Sequence, residues 1–242
     1  MDALFVLCLG LIVIIVFIAA HYWRQYEVKE ATRKNLEREE WGRSKGLAML
    51  DRPNPRHHLF SSCITGTNDH NIDPFRNIKP IPQGTCHNFQ LGQIQGKEVR
   101  VFDHHYVVTT GKYSYTVEHS VVAVGVNLES PDFELRPHKF WDRIAALFGY
   151  DDHVIGSPEF DKAYYIVTKS KDFIERLLDE ELQLFLMEHR SESWHCINGF
   201  LSVIVNGYQS EPQLDRMVSQ AIYFANKVNK QASSPLSLTN ER

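Results

Sequence analysis

The longest apolar run in the chain lies at its start. Residues 3–20 contain no charged side chain and consist mainly of Leu, Ile, Val and Phe. At about 1.5 Å of helical rise per residue, this run and the adjacent Tyr22 and Trp23 are long enough to cross the roughly 30 Å hydrocarbon core of a bilayer. The two aromatic residues stand where an interfacial aromatic belt lies. We therefore predict a transmembrane anchor over residues 1–23, with membrane contact through residues 3–23.

The basic residues near this run all follow it; they are Arg24, Lys29, Arg33, Lys34 and Arg38. Cytoplasmic flanks of membrane helices carry the excess of Lys and Arg. The pattern therefore predicts a single-pass protein with its N-terminus outside and its C-terminal domain in the cytoplasm.

A cleaved signal peptide is the competing interpretation of the same run. Three features disfavour it: no basic segment precedes the run, the run is longer than the apolar part of a typical signal peptide, and no A-x-A cleavage site follows. Residues 18–20 are the nearest match to such a site.

The next two segments differ sharply in composition. Residues 24–50 are rich in Glu, Lys and Arg and contain few apolar positions, with charge pairs such as Glu30 and Lys34 at helical spacing. They predict a solvated helical stalk that continues the membrane helix. Residues 51–87 are rich in Pro, Asn, Asp and Ser, which predicts loops and turns.

Residues 88–230 carry the periodicities of an α+β domain. The turn pairs Gly111-Lys112 and Asn198-Gly199 predict two antiparallel hairpins, and Ser210 with Gln213 predicts a capping box at the start of the last helix. Strands are expected at residues 89–94, 98–109, 114–127, 163–168, 194–197 and 200–205. Helices are expected at residues 138–148 and 171–189, at a short turn after Ser157-Pro158, and from residue 210 onward.

This order of elements lacks regular β-α-β alternation, which favours an antiparallel sheet with helices packed on one face. We expect residues 52–230 to fold as one soluble unit without the anchor. The polar residues 231–242 predict a disordered tail.

The net charge and the cysteine content limit the kinds of partner and cellular compartment that are expected. The net charge is −4 and no basic block occurs beyond the membrane flank, so nucleic acid is excluded as a partner. Outside the anchor only Cys63, Cys86 and Cys196 remain, and no C-x-x-C occurs, which fits a reducing compartment.

Histidines are the first candidate for chemistry. If the first hairpin turns at Gly111-Lys112, His104 faces His119, while His105 faces Glu118 on the opposite side of the ribbon. Two imidazoles are fewer than the three or four protein ligands of a typical zinc site, so we predict neither a metal nor a cofactor here.

A second set of metal-ligand types lies in and after the Pro-rich segment: His57, His58, Cys63, His70, Cys86 and His87. Their spacing matches no zinc motif, which favours ordinary loop residues. Carboxylates for acid–base chemistry are the third candidate, and they comprise Asp103, Asp151, Asp152, Glu159 and Asp161. Asp151 and Asp152 follow a predicted helix end and Glu159 stands near a predicted helix start, where turn formation and capping explain them.

Several short motifs occur in order: V-F-D-H-H-Y at residues 101–106, V-V-A-V at 121–124, D-F-E-L-R-P at 132–137 and S-P-E-F-D-K at 157–162. They resemble a group of uncharacterised bacterial membrane-anchored proteins with V-F-D-Y-x-Y, V-V-x-x, F-x-L-R-P-E and P-E-F motifs. The resemblance covers roughly residues 89–186. Here His104 replaces an aromatic residue and His138 an acid. The resemblance implies a bacterial inner-membrane setting and no known activity, so no site residue is carried over.

Two functional hypotheses follow. No nucleotide-binding loop, serine-nucleophile motif or H-E-x-x-H occurs, so a membrane-tethered module that binds protein or envelope-associated partners is favoured. The alternative is a membrane-tethered hydrolase or metalloenzyme that uses His104 and His119 or the Asp103 region. A cleft that gathers at least three of the side chains His104, His105, His119, Asp103 and Glu118 would favour the enzyme.

Overall fold

A computed structural model of the protein describes residues 3–49, 85–138 and 153–234. Three predicted features lie outside the described residues: most of the Pro-rich segment, the helix expected after residue 138, and the tail beyond residue 234. Within the Pro-rich segment the prediction of loop to residue 87 is wrong at its end, because a strand already begins at Thr85.

The described part of the chain forms an antiparallel sheet with helices, which confirms the predicted α+β class. The strands follow the order β1-β2-β3-β4-β8-β7-β5-β6 across the sheet, and every neighbouring pair is antiparallel. Their bounds are β1 Ala48–Met49, β2 Thr85–Ile94, β3 Lys97–Thr110, β4 Tyr113–Gly125, β5 Phe133–Pro137, β6 Tyr164–Thr168, β7 Ser193–Ile197 and β8 Phe200–Asn206.

Both predicted hairpin turns are present. β3 and β4 are joined through Gly111-Lys112, and the predicted pair of His104 with His119 is confirmed by the register. β7 and β8 are joined through Asn198-Gly199, whose φ angles of 51° and 77° are both positive, as the tight hairpin turn requires.

Five helices accompany the described strands: α1 Ala3–Ser44, α2 Pro158–Ala163, α3 Lys171–Leu177, α4 Glu180–Glu188 and α5 Glu211–Ala232. The prediction of a single helix over residues 171–189 is wrong, because the helix is interrupted at Leu178, where ψ is 58°. Asp179 then caps α4 by accepting the backbone N–H of Leu182 at 2.8 Å. The apolar stripe continues across this break, which is why its spacing alone indicated one helix.

The main core lies between one face of the sheet and the helices. Val101 of β3 and Val122 of β4 point to this face together with Leu201 and Val203 of β8. α5 lies on them with a stripe of fully or almost fully buried residues, which includes Leu214, Met217, Ala221, Ala225 and Val228. The capping box at its start is present, since Gln213 Oε1 accepts the backbone N–H of Ser210 at 2.8 Å.

The C-terminal part of α1 also belongs to this core, so the prediction of a solvated stalk over residues 24–50 is wrong at its end. Arg38 and Trp41 are 0% and 3% exposed, and Leu47 packs in the main core just before edge strand β1. Few apolar residues mark this stretch, because one of its two most buried side chains is an arginine. The core therefore begins well before the predicted boundary at residue 88.

The N-terminal part of α1 has the opposite character. The apolar side chains from Leu11 to Ile18 are each about half exposed or more, and none of the apolar window is buried within the structure. By length and composition α1 is able to cross a membrane. One continuous helix thus has an exposed apolar segment at its N-terminal end and a segment buried in the domain core at its C-terminal end.

Candidate functional site

A cleft of about 370 Å³ separates the middle of α1 from the sheet, and we call it the α1–sheet cleft. One wall is α1, and the other consists of the start of β2, the middle of β3 and β4, and the segment after β8. The lining residues are Tyr26, Glu27, Glu30, Ala31, Lys34, Asn35, His87, Asn88, Asp103, Glu118, His119 and Tyr208.

A buried ion pair closes the inner end of the cleft. The Nη2 atom of Arg38 lies 2.7 Å from Oδ1 of Asp103, and both side chains are almost completely buried. Ser120 Oγ donates to the same carboxylate oxygen at 2.7 Å, and Asn88 Nδ2 donates to the other oxygen at 3.0 Å. The two oxygens of Asp103 together therefore accept hydrogen bonds from three different side chains.

Further hydrogen bonds fasten α1 to the sheet around this ion pair. Asn88 Nδ2 also donates to Asn35 Oδ1 at 2.9 Å, and Gln90 Nε2 donates to the backbone carbonyl of Arg38 at 2.6 Å. The close approach depends on Gly42, because a Cβ atom there would lie 2.4 Å from the Gln90 side chain. The helix is consequently held at one rotation angle by directional contacts.

Tyr208 covers the ion pair from the side of the cleft. The guanidinium carbon of Arg38 lies 4.7 Å from the centre of its ring, and the Lys34 ammonium lies 5.2 Å away. The phenol donates to the backbone carbonyl of Lys34 at 2.9 Å, and burial raises the pKa of Tyr208. This residue thus joins the segment after β8 to α1.

The histidines of β2, β3 and β4 form a second group next to the cleft. His104 and His119 lie on neighbouring strands with ring centres 6.1 Å apart, and Tyr106 stacks on His119. Burial lowers the pKa of His104 to about 4 and also lowers the pKa of His87. His87 and His105 bring their Nδ1 atoms to 3.3 Å. At neutral pH the imidazole of His104 is therefore uncharged.

The structure brings some of the predicted site residues to the α1–sheet cleft and places others away from it. Asp103 and Glu118 line the α1–sheet cleft from the same side of the ribbon. His119 also borders the cleft, but its ring packs with His104 and Tyr106 on the other side of the ribbon, and His104 and His105 do not line the cleft. The criterion of three gathered side chains is therefore not met. Within residues 3–49, 85–138 and 153–234, no group of three or more His, Cys, Asp or Glu has an arrangement that would hold a metal ion. His57, His58, Cys63 and His70 lie outside these ranges, as do Asp151 and Asp152.

Asp161 accepts hydrogen bonds from the turn before α2, and Glu159 stands at the start of this helix, as the sequence predicts for Glu159. The carboxylate of Asp161 accepts the backbone N–H groups of Ile155 and Gly156, each at 3.1 Å, and Glu159 stands in the first turn of α2. Neither side chain lines the α1–sheet cleft.

Sequence reasoning missed the residues that build the site. The sequence places Arg38 in the basic membrane flank, and no motif connects it with Ser120, Asn88 or Tyr208. The available signal was the single Asp103 in the centre of a long Val-rich strand, since a carboxylate at a buried strand position requires a partner.

Comparison with known proteins identifies the fold. No protein-family model and no curated protein matches the sequence. Among solved structures, the mycobacterial trehalose monomycolate transport factor A, TtfA, is similar with a TM-score of 0.50 and 15% identity. The similarity covers 83% of this chain and 94% of TtfA. At this identity the two proteins share a fold, and the likeness says nothing of their activities.

Proposed function

We propose that this is a single-pass protein of the bacterial inner membrane whose cytoplasmic domain is a non-catalytic module. In this proposal the module binds a protein or envelope-associated partner in the α1–sheet cleft. The observation that carries the proposal is the position of the cleft: the helix that forms one wall is the continuation of the exposed apolar segment. A partner in the cleft would contact the anchor helix and the domain at the same time.

The chemistry of the inner end supports binding over catalysis. A general base needs an acceptor lone pair that faces the substrate. Oδ1 of Asp103 accepts from both Arg38 and Ser120, and Oδ2 accepts from Asn88, so three of its roughly four acceptor positions serve to hold α1 in place. The carboxylate therefore has a structural task that accounts for its burial.

The lining also favours a particular class of partner. Glu27, Glu30 and Glu118 bring carboxylates to the cleft, and Lys34 is its only lysine or arginine. A volume of about 370 Å³ falls in the range of roughly 300–1,000 Å³ typical of binding sites. A segment that presents a basic side chain beside an apolar one, able to lie against Tyr26, fits these properties.

Two further arguments support the membrane setting. The basic residues that follow the apolar segment favour a cytoplasmic domain. The structurally similar TtfA is described as a transport factor, a name that is compatible with a non-catalytic role but that alone does not establish one here.

Site-specific photocrosslinking in cells tests the binding proposal. A photoreactive amino acid at Ala31 would face the cleft, whereas the same amino acid at the neighbouring, exposed Thr32 would not. We expect Ala31 to give a discrete crosslinked product and Thr32 to give none, and we expect Glu118→Lys to suppress that product. Equal crosslinking at the two positions would refute a partner in the cleft.

Topology is tested separately. A reporter fused after Arg242 should be active in the cytoplasm, and the intact mass of the membrane-extracted chain should include residues 1–20. A reporter active only outside the cytoplasm would contradict the orientation. Loss of residues 1–20 would show that the apolar run is a cleaved signal.

A membrane-tethered hydrolase is the second candidate function, and it is favoured by one observation. Glu118 and His87 line the cleft together with Asp103, and a carboxylate and an imidazole are able to act as an acid–base pair. The purified full chain would be assayed on chromogenic esters and phosphoesters. Turnover that disappears in both Glu118→Gln and His87→Ala, but persists in the Thr116→Ala control, would establish this function instead.

A further inference from the structure

The β3–β4 hairpin extends well beyond the sheet. Its pairing with β2 ends at Thr85 opposite His105, and its pairing with β8 ends at Ser120 opposite Val205. Residues 106–117 therefore form a two-stranded ribbon without a further strand partner among the described residues, and we call it the distal ribbon. An isolated hairpin of this kind is marginally stable in water, so its surface is expected to have a use.

The composition of the distal ribbon is that of an interfacial segment. It consists of Tyr, Val, Thr, Ser and Gly, with Lys112 in the turn as its only charged residue. Val107, Tyr113 and Tyr115 are 60%, 77% and 55% exposed. Exposed edge strands of soluble proteins normally carry charged side chains that prevent association with other chains. Neither strand of this ribbon carries a charged residue.

The direction of the ribbon follows from the contacts of α1. Arg38 meets the hairpin at Asp103 and Ser120. The cleft begins beside this ion pair: on the hairpin it continues to Glu118, and on α1 it continues from Asn35 to Tyr26. Progress toward the hairpin turn thus corresponds to progress toward the N-terminal, apolar end of α1.

The length of the ribbon brings its turn to the start of that apolar segment. From His105 to Gly111 the strand advances by up to about 20 Å at roughly 3.4 Å per residue. The same distance along a helix corresponds to about 13 residues. A ribbon that runs alongside α1 from the cleft would therefore bring its turn to the level of Tyr22 and Trp23, or to the first apolar turn beyond them.

We propose that the tip of the distal ribbon inserts into the interfacial layer of the bilayer that α1 crosses. Tyr113 and Tyr115 would place their rings beside the lipid carbonyls with the hydroxyls toward water, as tyrosine does in membrane interfaces. Lys112 would contact lipid phosphates. This inference rests on the proposed membrane anchoring, and it gives the domain a second membrane contact.

The lipid surface is favoured over a second copy of the chain because of the position of the tip. Tyr22 and Trp23 stand at the end of the apolar segment, and the ribbon brings the same class of residue to the same level. A copy-to-copy contact would require no such alignment.

Photocrosslinking of the full chain reconstituted in vesicles of phosphatidylethanolamine and phosphatidylglycerol tests the proposal. A photoreactive amino acid is placed at Tyr113, at Tyr22 as the positive control, and at Gln93 as the matched control. Gln93 is exposed and lies beside the β2–β3 turn, at the opposite end of the sheet from the distal ribbon. We expect lipid adducts at Tyr113 with a yield comparable to that at Tyr22, and none at Gln93.

The possible outcomes separate the two proposals. Lipid adducts at Tyr22 but none at Tyr113 would overturn the membrane contact of the ribbon and leave the anchoring intact. A covalent dimer at Tyr113 in place of lipid adducts would overturn it in favour of a second copy. The absence of lipid adducts at Tyr22 would overturn the anchoring, and with it the ribbon contact that depends on it.

Discussion

Two helices pack on the same face of the sheet by different means. α5 presents an unbroken apolar stripe, with Leu214, Ala221 and Val228 fully or almost fully buried. α1 presents Arg38, whose charge is balanced by Asp103, and only Trp41 as a large apolar side chain. Apolar burial is non-directional and scales with area, whereas a buried ion pair is costly to desolvate and depends on its geometry. α5 thus supplies stability, and α1 is fixed in position.

Removal of α1 should have the largest effect on the stability of the domain. A chain that lacks residues 1–50 loses Trp41 and Leu47 from the core and leaves Asp103 without Arg38. Loss of a buried Trp alone costs about 3–5 kcal/mol, which is comparable to much of the stability of a small domain. We expect this chain to aggregate, against the prediction that residues 52–230 fold alone. The matched control lacks only residues 1–23 and should unfold cooperatively in circular dichroism.

Asp103→Ala should have the next largest effect. It leaves a buried guanidinium without its counter-charge, which costs roughly 3–5 kcal/mol. The double variant Arg38→Met with Asp103→Leu should recover much of this loss, since it removes both charges. Chemical denaturation of the chain that lacks residues 1–23 measures both values. A double variant as unstable as Asp103→Ala would show that the ion pair itself stabilises the fold.

Leu214→Ala tests the apolar side of the comparison. Truncation of a fully buried leucine costs about 2–5 kcal/mol, and we expect about 3 kcal/mol here because α5 is packed along its length. The loss should be insensitive to salt and should leave the position of α1 unchanged. A spin label at Thr32 would report that position, and a changed spectrum in Leu214→Ala would contradict independent packing of the two helices.

Opposite pH responses should sharpen the comparison further. Burial raises the pKa of Glu192, near α5, to about 7, so its contribution to stability is present below about pH 4.5 and is lost as the pH rises to 7. Burial lowers the pKa of His104, beside the α1 junction, to about 4, so stability is lost as the pH falls from about 6.5 to 4. Each effect is worth about 3 kcal/mol.

Denaturation at pH 5 and pH 8 measures these contributions. Glu192→Gln should abolish the loss on the alkaline side, and His104→Gln should reduce the loss on the acidic side. An unchanged pH profile in Glu192→Gln would mean that its carboxyl group is not the source of the alkaline loss.

Asp215→Ala should have the smallest effect. Its carboxylate accepts the Trp41 indole N–H at 2.8 Å and lies 2.8 Å from the Lys45 ammonium, which joins α1 directly to α5. Partly exposed contacts of this type contribute about 1 kcal/mol. The melting temperature should fall by a few degrees, and Ser219→Ala, whose hydroxyl bonds only within α5, provides the control. Equal melting of the two variants would remove Asp215 as a link between the helices.

The sequence predicted features that depend on neighbours along the chain. Gly111-Lys112 set the hairpin register and the His104 to His119 pair, and apolar spacing indicated α5. The Arg38–Asp103 pair was not predictable in this way, because it joins residues 65 positions apart. A charge in a Glu- and Lys-rich helix carries no local sign that it is buried. The same reason explains why the candidate site was recognised only at the sheet and not at α1.

The contact between Trp41 and Asp215 has a consequence for biosynthesis, since it spans 174 positions of the chain. At about 5–20 residues per second, the ribosome needs roughly 9–35 s to produce the second residue after the first. During this interval the apolar segment of α1 has already left the ribosome, while Trp41 has no α5 to pack against. The dense Glu, Lys and Arg residues around Trp41 favour a solvated state of this stretch until α5 has been synthesised. The part of the core that contains Trp41 is therefore completed only after α5 has been synthesised, although Trp41 is among the first core residues to be made.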